Sequence, residues 1–198
     1  MSSPFDYSLS PLVRRHEPRD YGRAASYRPW LRDEFSFRCA YCLIRETWLP
    51  TDLDVEHFEP AARVPERALD YGNLLYACRT CNAKKGSRSV PDPSLELVRS
   101  EVALAENGLL VAKSLRAREL ILVLGLNARR QREYRRLWVN VVQLARQHDP
   151  DLYRRLMGYP GDLPNLATLR PPGGNGKPEG VATAHYARRE RRELPATY

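Results

Sequence analysis

Four cysteines, arranged as Cys39-Ala-Tyr-Cys42 and Cys78-Arg-Thr-Cys81, constrain this chain more than any other feature. A two-residue gap lets both sulfurs of a pair turn toward one ion from a tight knuckle. Two such pairs supply the four thiolates that fill the tetrahedral shell of Zn²⁺. The pairs stand 35 residues apart, farther than in a simple zinc ribbon, so an insertion lies between the halves of the staple. Two disulfides or buried free thiols are the competing readings, and a reducing compartment disfavours the first. Met1 to Pro11 is polar and aromatic, with no apolar signal stretch. No apolar run approaches the ~20 residues needed to span a bilayer. The expectation is a cytoplasmic protein with no membrane association and one structural zinc, whose closed shell leaves no position for substrate.

The rest of the chain arranges itself around the staple. Residues 1–25 are rich in Pro, Arg and Tyr and read as a loose N-terminal arm, and residues 26–92 hold the zinc-stapled core. Within the core, Tyr27 to Phe37 reads as a short helix and Leu53-Asp-Val-Glu-His-Phe as a strand by its apolar–polar alternation. Asn73 to Cys81 reads as a turn leading into a short helix. Residues 93–158 form an extension. There, two apolar runs flank Asn107-Gly108, a pair suited to a type I′ hairpin turn, and Ala117 to Leu126 and Ala128 to Gln147 read as helices parted near Gly125. Residues 159–198 read as a tail, with Pro171-Pro-Gly-Gly-Asn-Gly as a linker or disordered segment.

Two elements between and around the cysteines carry the chemistry: Asp54-Val-Glu56-His57-Phe-Glu-Pro60, and Tyr71-Gly-Asn73-Leu-Leu running into Cys78-Arg-Thr-Cys81-Asn82-Ala-Lys84-Lys85-Gly86. Taken in order, they resemble the HNH nuclease family: a cysteine pair, an acid followed by His and then Pro, an Asn-Leu, and a Cys-x-x-Cys-Asn with Lys close behind. The resemblance covers roughly Tyr27 to Gly86. It implies an α+β fold, a zinc-stapled ββα-metal core, followed here by a hairpin and a helical extension.

The implied activity is metal-dependent endonuclease cleavage of DNA. Phosphodiester hydrolysis needs an activated water, and an imidazole, which titrates at about 6.5 unperturbed, suits that task near neutral pH. His57 is the only histidine inside the motif and is the expected general base. By resemblance, Glu56 and Asn82 hold a catalytic Mg²⁺ or Mn²⁺ through oxygen atoms, and Asn73 hydrogen-bonds the loop that carries His57. The family more often has Asp where this chain has Glu56, and Asp54, two residues earlier on the same strand face, is the other candidate carboxylate. Glu56 and His57 are neighbours on a strand and point to opposite faces, so the strand must end or bulge there.

A formal net charge of +8 is consistent with a polyanionic partner. Arg79, Lys84 and Lys85 are candidate phosphate contacts, with a solvated basic face as the alternative. Arg129, Arg132 and Arg136 belong to five arginines packed into residues 129–136. They would bind the DNA backbone, meet an acidic partner or face solvent, while Leu137, Val141 and Leu144 form the helix's apolar side. The extension and Val55-Glu-His-Phe-x-Pro also resemble the HNH nucleases that accompany ATPases in bacterial anti-phage systems of the Septu and retron-associated kind, which implies a partner ATPase. The contrasting readings are a non-catalytic zinc-dependent binding module for nucleic acid or protein, and an RNA-cleaving HNH enzyme.

Overall fold

The computed structural model describes residues 3–170 and 180–198. Its centre is a short antiparallel pair, β1 (Asp54–His57) and β2 (Leu74–Ala77), in the register Asp54↔Ala77, Val55↔Tyr76, Glu56↔Leu75 and His57↔Leu74. Helix α1 (Arg28–Glu34) lies against this hairpin on one side, and α2 (Arg79–Lys85) follows β2 after a single residue. The order strand, strand, helix is the ββα arrangement expected of the core, and the protein is α+β with two small sheets.

Strand β2 corrects the reading of Asn73 to Cys81 as a turn into a helix. All four residues of Leu74–Ala77 are buried. A strand covered on both faces loses the alternation that marks a half-exposed one. One neighbour beyond β1 is the Cys39–Cys42 knuckle, whose Ala40 N–H donates to the Tyr76 carbonyl at 2.8 Å.

Beyond the core come a short helix α3 (Pro93–Glu96), a hairpin of β3 (Val102–Leu104) and β4 (Leu110–Ala112), and helices α4 (Leu115–Val123), α5 (Arg129–His148) and α6 (Pro150–Met157). The hairpin stands where it was expected, but its turn is not type I′. Of Asn107 and Gly108 only the glycine has positive φ, at 79°. Ala105 N–H pairs with the Leu109 carbonyl and Gly108 N–H with the Ala105 carbonyl, giving a three-residue loop that closes on a left-handed glycine. A Cβ at Gly108 would fall 2.7 Å from the Arg132 carbonyl oxygen, so glycine is also required where the hairpin tip presses on α5.

The apolar face of α5 is corrected as well. Leu137 and Leu144 are each 58% exposed. The buried side runs through Arg135, Trp138, Val142 and Ala145, and Trp138 stacks on Trp48 at 4.2 Å. Arg135 is buried because its guanidinium donates to the carbonyls of Gly108 and Leu126, fastening the hairpin tip to the α4–α5 junction.

The outer segments pack onto the core. Phe5 and Tyr7 are buried, and the Tyr7 hydroxyl donates to the Tyr41 carbonyl at 2.9 Å, so the N-terminal arm is not loose. After residue 158, Leu163, Leu166 and Ala184 are buried, and a helix, α7 (His185–Glu190), forms in the stretch read as a tail. The Tyr159 and Tyr198 rings stack at 4.4 Å. Residues 171–176, read as a linker or disordered segment, lie outside the described residues. Both ends meet at Asp33 of α1: His16 Nε2 lies 2.9 Å from its Oδ1, and the His185 backbone N–H donates to its Oδ2 at 2.7 Å. Burial would raise the Asp33 carboxyl, but the hydrogen bonds from His16 and His185 outweigh it and hold the group well below the usual carboxylate range.

Candidate metal and nuclease site

The sulfurs of Cys39, Cys42, Cys78 and Cys81 are buried and lie within 4.8 Å of one another. A tetrahedral zinc with Zn–S bonds of about 2.3 Å sets its sulfurs about 3.8 Å apart. Cys42 Sγ and Cys78 Sγ are 3.7 Å apart. The first knuckle is shaped by the Cys39 N–H to Ile44 carbonyl and Leu43 N–H to Cys39 carbonyl bonds. The second is the start of α2, where Cys78 is the N-cap and its sulfur accepts from the Cys81 N–H at 3.5 Å. Hydrogen bonding to Cys39 first, and also to Cys78, with burial added, pushes the Cys42 and Cys81 thiols well above their ordinary value, while hydrogen bonds from the other three sulfurs hold Cys78 far below it. Four sulfurs at this spacing could hold a cation among them, and the donor set fits Zn²⁺.

On the β1 face that meets α2, the alternation of the strand puts Asp54 and Glu56 together. Asn82 and Lys85, three residues apart on α2, face them. The Asn82 side-chain N–H donates to Asp54 Oδ2 at 3.2 Å, and both residues are half-buried. Glu56 is 3% exposed and held twice over. Lys85 Nζ lies 2.5 Å from its Oε1, and the Tyr41 hydroxyl donates to its Oε2 at 2.9 Å. Burial first, and then the Glu56 charge, push the Tyr41 hydroxyl far above its ordinary value, so it stays a donor.

Lys85 is thus displaced from the role read for it. It is fully buried, and its Nζ also donates to the His57 carbonyl at 2.7 Å, so it does not face a phosphate from the surface. Arg79 and Lys84 are exposed and keep that possibility. Tyr41 was not singled out in the sequence, because it stands 15 residues before its carboxylate and inside the zinc knuckle. Lys85→Met strands the Glu56 carboxylate in the interior. It is expected to destabilise the zinc-loaded protein by about 3–5 kcal/mol, and Glu56→Gln in the same chain should restore much of that. Denaturant melts of the single and double variants measure both.

His57 is the last residue of β1, so the strand ends there, and the imidazole is half-buried. Its Nε2 lies 3.0 Å from the Ala68 carbonyl oxygen. A carbonyl only accepts, so Nε2 is the donor in this contact and Nδ1 is the ring nitrogen left for a water. The loop between the strands is set by Asn73, which is fully buried. Its side-chain oxygen accepts from the Glu59 N–H at 2.8 Å, and its amide donates to the Glu59 and Arg67 carbonyls, each at 3.1 Å. The Asn73 backbone carbonyl accepts from the Phe58 N–H at 2.8 Å. One side chain therefore closes the loop that runs from His57 to the carbonyl His57 uses.

The structure brings His57, Asp54, Glu56, Asn73 and Asn82 onto one hairpin and the helix behind it. Arg129, Arg132 and Arg136 lie apart, on α5. Arg129 is exposed and paired with Glu133 at 2.8 Å, Arg132 is half-buried and Arg136 is exposed. Among the described residues no helix is long and apolar enough to cross a membrane.

Comparison with known proteins agrees with this geometry. Residues 39–88, from the first zinc cysteine to just past α2, match the family model for HNH endonuclease. The chain is also similar to the Septu protein PtuB of Bacillus thuringiensis, with 30% identity over 95 residues. That match covers 46% of this chain and 37% of the relative, so the chain spans little more than a third of the protein it resembles. A four-cysteine cluster, a strand pair with its helix, an Asn-locked loop and His57 stand within the segment that matches the HNH endonuclease model, residues 39–88.

Proposed function

We propose that this protein is a metal-dependent endonuclease that hydrolyses DNA phosphodiesters, with His57 as the general base. We further propose that it serves as the cytoplasmic nuclease of a bacterial anti-phage system with an ATPase partner. The observation that carries the catalytic reading is the His57–Ala68 contact. It ties up Nε2 and leaves Nδ1 to take the proton of an attacking water, while Asn73 keeps carbonyl and imidazole in register. The similarity to the Septu protein PtuB supports the defence role and the partner.

A hard divalent cation would supply Lewis-acid stabilisation of the phosphate and the leaving oxygen. The residues on the α2 face of β1 fit such an ion, because Asp54 and Asn82 lie together at a half-buried position and a turned amide would present its oxygen beside the carboxylate. Such an ion needs only one or two protein oxygens. Glu56, neutralised by Lys85, is the less available carboxylate, so Asp54 with Asn82 is the proposed Mg²⁺ or Mn²⁺ pair. Exposed Arg79 and Lys84, together with Arg129, Arg132 and Arg136, are the proposed phosphate contacts.

Plasmid cleavage in Mg²⁺ or Mn²⁺ by zinc-loaded protein tests the reading. Wild type is expected to nick or linearise the plasmid only with the added cation. Asp54→Ala should need at least tenfold more Mn²⁺ for half-maximal rate, and Glu56→Gln should shift that requirement less. The reverse order would return the ligand role to Glu56, and no cleavage under any cation would remove the nuclease reading.

A further inference from the structure

A cavity of about 400 Å³ opens between the zinc knuckles and α5, a size within the range of small-ligand sites. Cys42 and Cys78 of the sulfur cluster line it, and Ile44 and Leu49 give it an apolar wall. Arg79, the first residue of α2, and Arg130, in the first turn of α5, also line it, along with the half-buried Tyr134. We propose that this cavity binds a nucleotide unit, with the phosphate between Arg79 and Arg130 and the base against Tyr134 and the apolar wall.

The charge argument is the first support. Other arginines of this region are engaged, Arg129 by Glu133 and Arg135 by two carbonyls. Arg79 and Arg130 are exposed and, among the described residues, have no hydrogen-bond or ion-pair partner. Asp52 also lines the cavity, but its carboxylate is directed to Arg28 at 3.5 Å and is 87% exposed. Two unpaired guanidiniums from different helices thus flank one opening, a fork suited to phosphate oxygens.

The body of the cavity is the second support. Inorganic phosphate would satisfy the arginines and leave the apolar wall unfilled. A planar base fills it, and Tyr134 offers the ring. That ring is backed by an aromatic series, with Trp138 at 6.1 Å, Trp48 stacked on Trp138 at 4.2 Å and Phe5 edge-on to Trp48 at 5.6 Å. This backing holds the ring in place, so little ordering remains for a ligand to impose. The nucleotide could be free in solution or be an unstacked residue of a DNA strand. Both present the same base and phosphate.

This site shares Arg79 with the proposed substrate contacts and rests on that reading only there, and its binding is measured without cleavage. Zinc-loaded, full-length His57→Ala protein, with no added divalent cation, is titrated by calorimetry with deoxyadenosine monophosphate, inorganic phosphate, a single-stranded oligonucleotide and the matching duplex. The expected result is that the mononucleotide or the single strand binds at least tenfold more tightly than inorganic phosphate. Arg79→Ala with Arg130→Ala should weaken that binding roughly tenfold or more. Tyr134→Leu should remove most of the preference over phosphate, as loss of a stacking platform does, and Tyr134→Phe should keep it. Mononucleotide binding points to a free ligand. Binding by the single strand alone, with the duplex weaker, points to an unstacked base of the substrate. Equal affinities for phosphate and nucleotide, or indifference to the arginine pair, would overturn the proposal. If Tyr134→Leu fails to fold, the exposed arginine pair carries the test alone.

Discussion

His57→Ala is expected to lose roughly 10²- to 10⁴-fold in plasmid cleavage, the range over which a positioned general base contributes. The fold should survive, because the imidazole is half-buried and gives up one hydrogen bond, to the Ala68 carbonyl. The loss of stability should be about 0.5–1.5 kcal/mol. Zinc content should be unchanged, since no cysteine is touched. Asn73→Ala is the informative companion. It removes three hydrogen bonds that position the loop but leaves the imidazole in place. If Asn73 acts only through the loop, its loss should lower the rate by less than that of His57, and the double variant should be no worse than His57→Ala alone. Near-wild-type cleavage by folded, zinc-loaded His57→Ala would end the assignment of the base. In that case His16 and His185 offer no substitute, since both are buried and engaged at Asp33.

The parts of this site that the sequence discloses are those whose meaning lies in local spacing. The two-residue gap in each cysteine pair is a property of one tight turn, so the four-cysteine cluster is readable before any fold is known. The same holds for Glu56-His57 followed by Pro60, and for Asn107-Gly108 as a hairpin position. The parts it hides depend on what lies opposite. Lys85 looks like Lys84 in the sequence, yet one turns inward to Glu56 and the other to solvent, because only position 85 falls three residues after Asn82 on the β1-facing side of α2. Arg135 is likewise one of five arginines, buried only because the hairpin tip presents a carbonyl to it. The face of α5 was misread for a related reason. Leu137, Val141 and Leu144 keep helical spacing, but the stripe that meets the core is led by an arginine and a tryptophan, and hydropathy alone does not rank an arginine as interior. The outer segments were misjudged by composition: Pro- and Tyr-rich stretches resemble linkers, yet Tyr7, Tyr159 and Tyr198 each find a buried partner surface.

Loss of zinc is expected to have the larger effect on stability. In structural sites the metal-binding energy is folding energy, with apparent values of about 10–16 kcal/mol for zinc-finger peptides at neutral pH. Here the ion would join the Cys39–Cys42 knuckle directly to the start of α2, two segments that otherwise meet through Tyr41, Glu56 and Lys85. The knuckle at Cys39–Cys42 reaches β2 through Ala40, and the knuckle at Cys78–Cys81 starts α2, which carries Asn82 and Lys85. Without the ion, sulfurs this close favour separation of the knuckles, and α2 would leave the β1 face. Cys81→Ser is therefore expected to lower the thermal midpoint by well over 10 °C or to give insoluble protein, and to abolish cleavage together with the fold. Asn82→Ala, one residue further along, should leave the midpoint within a few degrees and act on the cation requirement alone. Elemental analysis of the freshly purified chain should find one zinc per molecule. A strong chelator should release it with loss of helical signal, and Zn²⁺ should restore that signal where Mg²⁺ does not. Active, folded protein with no zinc, or a Cys81→Ser chain that melts like wild type, would show that the four sulfurs pack as plain hydrophobic side chains. The position of α2, and with it Asp54, Asn82 and the Lys85–Glu56 pair, would then have to be explained by the core around Tyr41 and Tyr76.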